Sequence, residues 1–128
     1  TNNNHLVRAG LESVAYQMVV YLEFMKKSRN LDLKNLSIDG GMVKNKFFLQ
    51  IISDLMDIEL SIPEMEDMSS YGALLFGIQY YNNYNSFNDL RVFKVKNSKI
   101  TPNNNKDIRN SYSSWKEIVD KHFVKNQD

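Results

Sequence analysis

Residues 36–45 constrain the fold most, because they join a strand, a glycine turn and a helix start within a short stretch. The first three residues of this stretch predict a short buried strand, and the pair Gly40-Gly41 follows it almost directly. Apolar side chains then recur at helical spacing, which predicts a helix from Met42 to Met56. A helix N-terminus at the end of a strand favours an anion such as phosphate. The same glycine pair is also an ordinary turn element, so the pair alone leaves both interpretations open.

Further helices and strands are predicted along the rest of the chain. Apolar spacing predicts a helix at His5–Lys27 and a last helix at Asp107–Val124. Residues Thr1–Asn4 are expected to form a frayed leader, with Asn4 as a possible N-cap. Alternation predicts strands at Asp57–Pro63 and Leu90–Val95. A further helix follows the second strand; its expected features are an N-cap at Ser69 or Ser70 and close packing through Gly72, Ala73 and Gly77.

Composition excludes several classes of protein. The 128 residues suggest one domain at most, and a net charge of +1 gives no reason to expect a nucleic-acid partner. The sequence has no cysteine, which excludes disulfides and thiolate metal sites and is compatible with a cytoplasmic location. No apolar run approaches the length of a membrane span, so none is expected.

Some polar and aromatic residues suggest chemistry but are better explained by structure. Arg8 and Glu12 stand one helical turn apart and predict a surface ion pair. The carboxylates of residues 64–67 could suggest acid–base catalysis. Trp115 lies on the apolar stripe of the last helix, which predicts a docking role in the core rather than base stacking.

The stretch Ser37–Leu55 resembles the second nucleotide-binding segment of the FGGY carbohydrate kinases, and within that family the glycerol kinase subgroup. It contains Asp-Gly-Gly, an Asn at position 45, Phe-Leu and Ser-Asp in the family's order. Three more blocks resemble the same subgroup, at residues 5–17, 63–77 and 112–116. The resemblance of the second block implies that the carboxylates of residues 64–67 are structural rather than catalytic. Met42, Lys44 and Lys46 depart from the residues that are common there, which leaves weakened nucleotide binding open.

The resemblance implies an α/β fold, namely the C-terminal part of an actin-like ATPase (ribonuclease H-like) domain of a sugar kinase. Residues 1–128 then form a partial C-terminal domain, and the N-terminal kinase domain is the missing partner. In this family Gly40 and Gly41 would hold the nucleotide and Asn45 would contact the adenine. Asp39 is expected to serve the turn, and Lys44 to be solvated. No catalytic residue or metal ligand is expected in this chain, since the family's catalytic Asp lies upstream.

The implied activity is ATP-dependent phosphorylation, with Mg²⁺, of a polyol or sugar, and the closest subgroup favours glycerol as the substrate that becomes glycerol 3-phosphate. Another FGGY kinase, acting on xylulose, gluconate or erythritol, is a second hypothesis. A kinase-derived domain that binds without catalysis is a third. A homo-oligomer is possible, and the chain alone is expected not to turn over substrate.

Overall fold

A computed structural model describes residues 2–124, with side chains described for residues 2–122. The chain is an α/β fold in which one three-stranded sheet has the order β1-β2-β3. β1 and β2 are parallel, and β2 and β3 are antiparallel. The elements run in chain order as α1 (Asn3–Arg29), β1 (Asn35–Ser37), α2 (Lys46–Met56), β2 (Glu59–Pro63), α3 (Met68–Tyr81), β3 (Asn97–Ile100) and α4 (Lys106–Val119).

Helix α2 is the centre of the core. Leu49 and Ile52 are fully buried, and Phe48 and Ile51 are nearly so. Their spacing places these apolar side chains on one side of the helix, and such an apolar face is stable only when neighbours cover it. α1 and α4 pack against α2, as do β2 and β3, so this helix holds the layers together.

Helices α1 and α4 meet through an aromatic cluster. The ring centroid of Tyr16 lies 5.4 Å from that of Tyr112 and 5.5 Å from that of Trp115. Beside the rings, Lys116 Nζ donates to Glu23 Oε2 at 2.7 Å, and this bond also links α4 to α1. The predicted docking role of Trp115 is therefore confirmed.

The first helix is confirmed, but its predicted cap is wrong. The helix begins earlier than expected, because Asn2 rather than Asn4 is the N-cap and its side chain accepts from the backbone N–H of His5 at 3.1 Å. The leader predicted to be frayed at Thr1–Asn4 is helical from Asn3 onward, and Thr1 lies outside the described residues. Arg8 Nε donates to Glu12 Oε1 at 2.7 Å, which confirms the predicted ion pair. Along the described chain, no helix combines the length and the apolar character that crossing a membrane requires.

The predicted strand Leu90–Val95 is wrong. Residues Phe87–Val92 form a 3₁₀ helix instead, and the strand comes later, at β3. A capping box explains the difference: Ser86 Oγ accepts from Asn88 N at 3.1 Å, and Asp89 Oδ2 accepts from Ser86 N at 3.2 Å. These two bonds fix a helical turn where apolar alternation alone favours a strand.

Helix α3 also departs from expectation at its start and along its surface. Its N-cap is Asp67 rather than Ser69 or Ser70, since Asp67 Oδ1 accepts from Ser70 N at 2.8 Å. The predicted close packing through its small residues is absent from the described part of the chain. A Cβ added at Gly72 or Gly77 would meet nothing within 4 Å.

Asp54 joins α2 to the loop between β3 and α4. The residue is only 1% exposed, and its Oδ1 accepts from Gln50 Nε2 at 2.9 Å and from Asn103 N at 2.6 Å. A buried carboxylate is stable only when such donors replace its hydration. These bonds give Asp54 a structural role.

We expect Asp54→Ala to destabilise the chain by about 1–3 kcal/mol, because the Asn103 N–H loses its charged acceptor in a partly buried place. Urea denaturation of the purified chain measures the loss. Asp32→Ala is the matched control, since the Asp32 side chain is 76% exposed, and a change within about 0.5 kcal/mol is expected there. Equal effects of the two substitutions would contradict the assigned role.

Candidate functional site

Two loops meet at the carboxyl ends of β1 and β2. The parallel register pairs Leu36 with Leu60 and Ser37 with Ser61, and Ile38 N donates to Ser61 O at 2.9 Å just beyond it. In open α/β sheets, ligands bind outside the carboxyl ends of the strands. A cavity of about 650 Å³ lies at this edge, between the glycine turn and the loop that follows β2.

The strand before the turn has the predicted length but lies one residue earlier in the chain, and it is more open than predicted. β1 ends at Ser37, and Leu36 and Ile38 are half-buried rather than buried. Both side chains still pack against the core, which holds the base of the turn in place.

The two glycines have different structural roles. Gly40 has φ 112° and ψ 179°, a backbone conformation that is essentially restricted to glycine. Its N–H donates to Asp39 Oδ1 at 2.7 Å, so Asp39 holds the turn as expected. Gly41 has no positive φ, and a Cβ placed on it would meet nothing within 4 Å. The backbone therefore needs glycine at Gly40, whereas Gly41 leaves open space beside the cavity.

The predicted helix Met42–Met56 is wrong in its first residues. Gly41–Lys44 form a 3₁₀ turn, and α2 begins only at Lys46. Asn45 is extended, with φ −92° and ψ 92°, and its Oδ1 accepts from Phe48 N at 3.1 Å. Asn45 is thus the N-cap of α2 rather than a residue one turn inside the helix. Asn supplies a side-chain acceptor that suits this position, which explains the break.

The phosphate site expected at the helix N-terminus stays a prediction, but part of its donor set is already used within the chain. Asn45 already caps the first turn of α2, and the Gly40 N–H is already bonded to Asp39. Two donors that a phosphate would need are therefore occupied. The glycine turn leaves a surface on which a ligand can approach the backbone closely.

The charges around the cavity also disfavour a bare phosphate. Asp39, Glu64, Glu66 and Asp67 line it together with one cation, Lys44. The Ser70 hydroxyl and backbone N–H donate to Asp67 and lower the pKa of that carboxyl below its usual value. A cavity with this excess of carboxylates repels a bare phosphate and accepts a heterocycle or hydroxyl groups more readily.

Lys44 is solvated, as predicted, but it also spans the cavity. Its Nζ lies 3.3 Å from Glu66 Oε1, and the two side chains are 78% and 89% exposed. An ion pair this exposed is weak and easily opened by solvent or a ligand. It connects the glycine turn to the loop after β2.

A metal centre is a separate question. Across residues 2–122, no three His, Cys, Asp or Glu side chains come close enough together to hold a metal ion. The lining carboxylates are spread around the cavity, and one of them, Glu64, lies 3.5 Å from Lys96 Nζ. The described residues form no preformed cage for a metal ion, whereas Mg²⁺ is usually held by one or two carboxylates together with substrate phosphates.

Sequence reasoning missed that the acidic loop 64–67 lines the same cavity as the glycine turn. A signal was present, since two strands joined by a helix are typically parallel neighbours. Their carboxyl ends then lie at one edge of the sheet, and the loops that follow them face each other.

Comparison with known proteins identifies the family. Residues 1–79 match the C-terminal domain of the FGGY family of carbohydrate kinases. The glycerol kinase of Vibrio atlanticus is 34% identical over 119 residues, and that of Haloferax volcanii is 31% identical over 121 residues. These matches cover 92% and 94% of this chain and 24% of each relative.

A solved structure supports the fold. The crystal structure of Plasmodium falciparum glycerol kinase with ADP matches 96% of this chain and 25% of that one, with a TM-score of 0.76 and 23% identity. The chain thus has the fold of part of the actin-like ATPase domain, and it spans about a quarter of the length of the relatives it matches. It belongs to the FGGY family of carbohydrate kinases, to whose C-terminal domain residues 1–79 correspond.

Proposed function

We propose that the chain is the C-terminal portion of an ATP-dependent kinase that phosphorylates glycerol, and that residues 39–45 hold the adenosine half of ATP. One observation carries this proposal. The Gly40-Gly41 turn stands at the carboxyl end of two paired parallel strands and opens on a cavity of about 650 Å³. The family membership supports phosphoryl transfer, and the names of the relatives support glycerol.

The adenosine assignment follows from the free groups of the site. Oδ1 of Asn45 is occupied as the acceptor that caps α2. The amide NH₂ of the same side chain is the group that can donate to a ring nitrogen of the base. Gly41 lets the heterocycle approach the backbone without meeting a Cβ. Plasmodium falciparum glycerol kinase was crystallised with ADP, which supports a nucleotide in this fold.

The phosphates lie away from this surface in the proposal. The lining carboxylates repel them, and the described residues offer no metal centre, so Mg²⁺ would arrive on the nucleotide. Mg²⁺ neutralises phosphate charge during transfer. We place the phosphates, the substrate and the catalytic carboxylate on an N-terminal kinase domain that completes the cleft. The chain alone then turns over no substrate.

The two glycines give a paired test. We expect Gly40→Ala to destabilise the chain by about 1–3 kcal/mol, because an L-residue is strained at φ 112°. Gly41→Ala should change stability by no more than about 0.5 kcal/mol. In the complete kinase, Gly41→Ala should raise the apparent KM for ATP by about tenfold, since the new methyl group occupies space beside the base. Urea denaturation and steady-state kinetics measure the two effects.

An unchanged KM for ATP in Gly41→Ala would remove the assigned role of this residue. A loss of stability in Gly41→Ala as large as in Gly40→Ala would also contradict the distinction between them.

Asn45 allows its cap and its ligand contact to be separated. Ser is a good N-cap but lacks the amide, so we expect Asn45→Ser to keep the stability of α2. Asn45→Ala should cost about 1 kcal/mol, because Phe48 N loses its acceptor. Both variants should raise the apparent KM for ATP in the complete kinase. If Asn45→Ala lowers stability but leaves the apparent KM for ATP unchanged, Asn45 is a helix cap and does not contact the nucleotide.

ADP release by the complete kinase, measured with glycerol and with a panel of sugars and polyols, tests the substrate. Release that is fastest with glycerol supports the proposal. Preference for xylulose, gluconate or erythritol would keep the family and replace the substrate. A folded protein that releases no ADP with any of them would indicate a domain that binds without catalysis.

A further inference from the structure

Four carboxylates line the cavity at the carboxyl ends of β1 and β2, and three of them are engaged elsewhere. Asp39 Oδ1 accepts from the next backbone N–H at 2.7 Å, Asp67 caps α3, and Glu64 Oε2 lies 3.5 Å from the Nζ of a lysine. Glu66 is the fourth. Among residues 2–122 its one hydrogen-bonding partner is the exposed Nζ of Lys44, so this carboxylate is the one most available to a ligand.

The contact between Lys44 and Glu66 places that carboxylate opposite the glycine turn. Lys44 ends the 3₁₀ turn that begins at Gly41, and its Nζ lies 3.3 Å from Glu66 Oε1. The carboxylate therefore stands roughly one lysine side chain away from this turn, across the cavity. Because both side chains are largely exposed, the pair is weak, and the hydrogen-bonding groups of a ligand can replace it at little cost.

The chemistry of a carboxylate selects the part of a nucleotide that it can bind. An ionised carboxylate is only an acceptor, and its two oxygens can take two neighbouring donors. Phosphate oxygens carry negative charge and are repelled by it. A ribose instead carries two adjacent hydroxyl groups that can donate, and acidic side chains accept from ribose hydroxyls in dinucleotide-binding folds. The ribose is bonded directly to the base, so a base at the glycine turn brings these hydroxyls into the same cavity.

We propose that Glu66 accepts hydrogen bonds from the ribose hydroxyls of the bound nucleotide and makes the site selective for ribonucleotides. This rests on the proposed function, because it takes the base to lie against Gly40 and Gly41. It extends the nucleotide site from residues 39–45 to the loop after β2, which shares the cavity of about 650 Å³. Lys44 acts as a positioning residue that holds the carboxylate over the cavity before the ligand arrives.

Calorimetric titration of the complete kinase with MgADP and with the magnesium complex of 2′,3′-dideoxyADP tests this assignment. The two ligands share the base and the phosphates, so the ratio of their Kd values isolates the ribose hydroxyls. We expect the original protein to bind MgADP at least about tenfold more tightly than the dideoxy ligand.

Glu66→Ala should lower this preference by at least about fivefold, because the hydroxyls lose their charged acceptor. The lost negative charge changes the affinity for both ligands alike, and the ratio cancels that effect. The Tm should stay unchanged, since the Glu66 side chain is 89% exposed.

Glu64→Ala is the matched control. It removes the same chemical group from the same cavity, but this carboxylate lies beside Lys96 Nζ. The preference for MgADP should therefore remain within about twofold of that of the original protein.

A preference for MgADP that Glu66→Ala lowers and Glu64→Ala keeps supports the assignment. Equal binding of the two ligands by the original protein, an unchanged preference in Glu66→Ala, or an equal loss in both variants overturns it, and the nucleotide site itself then stands. A complete kinase that binds neither ligand overturns the proposed function together with this assignment, so the two failures are distinguishable.

Discussion

The parallel pairing of β1 with β2 is the constraint on which the rest of the structure depends. Parallel neighbours cannot be joined by a tight turn, so the chain has to cross over the sheet between them. α2 makes that crossing, and its apolar surface becomes the core that α1 and α4 cover. The same pairing brings the loops after β1 and β2 to one edge of the sheet, where the cavity lies. The pairing of these two strands therefore determines both the core and the position of the cavity.

In the proposed site, Asn45 serves both the stability of α2 and the contact with the ligand. It ends the glycine turn, caps α2 through Phe48 N, and lies beside the space that Gly41 leaves open. A residue that caps a buried helix is held rigidly, because motion of the cap would expose unpaired backbone donors. Rigid placement of a polar group is what recognition of a base requires. The use of Oδ1 in the cap also determines which end of the amide can meet a ligand.

The sequence was most informative where local pattern and tertiary packing agree. Long apolar periodicity predicted α1, α2 and α4, because burial of an amphipathic surface determines each of them. The strand predicted at residues 90–95 was wrong, because the hydrogen bonds of Ser86 and Asp89 outweigh a weak alternation of apolar residues. The N-caps Asn45 and Asp67 were not predicted, because the choice among neighbouring capping residues depends on backbone angles that a sequence does not display. The shared cavity of two distant loops depends on strand order, which periodicity alone does not give.

The central claim is that the turn at Gly40 and Gly41 meets the adenosine half of a nucleotide. Titration of the ¹⁵N-labelled chain with MgADP, followed by two-dimensional amide NMR, tests it most directly. The account predicts the largest shifts at these two glycines and at the side-chain amide of Asn45, with Gly10 on α1 unmoved. Shifts concentrated elsewhere, such as around the separate cavity beside Tyr80 and Tyr84, or no shift at millimolar MgADP, would contradict it.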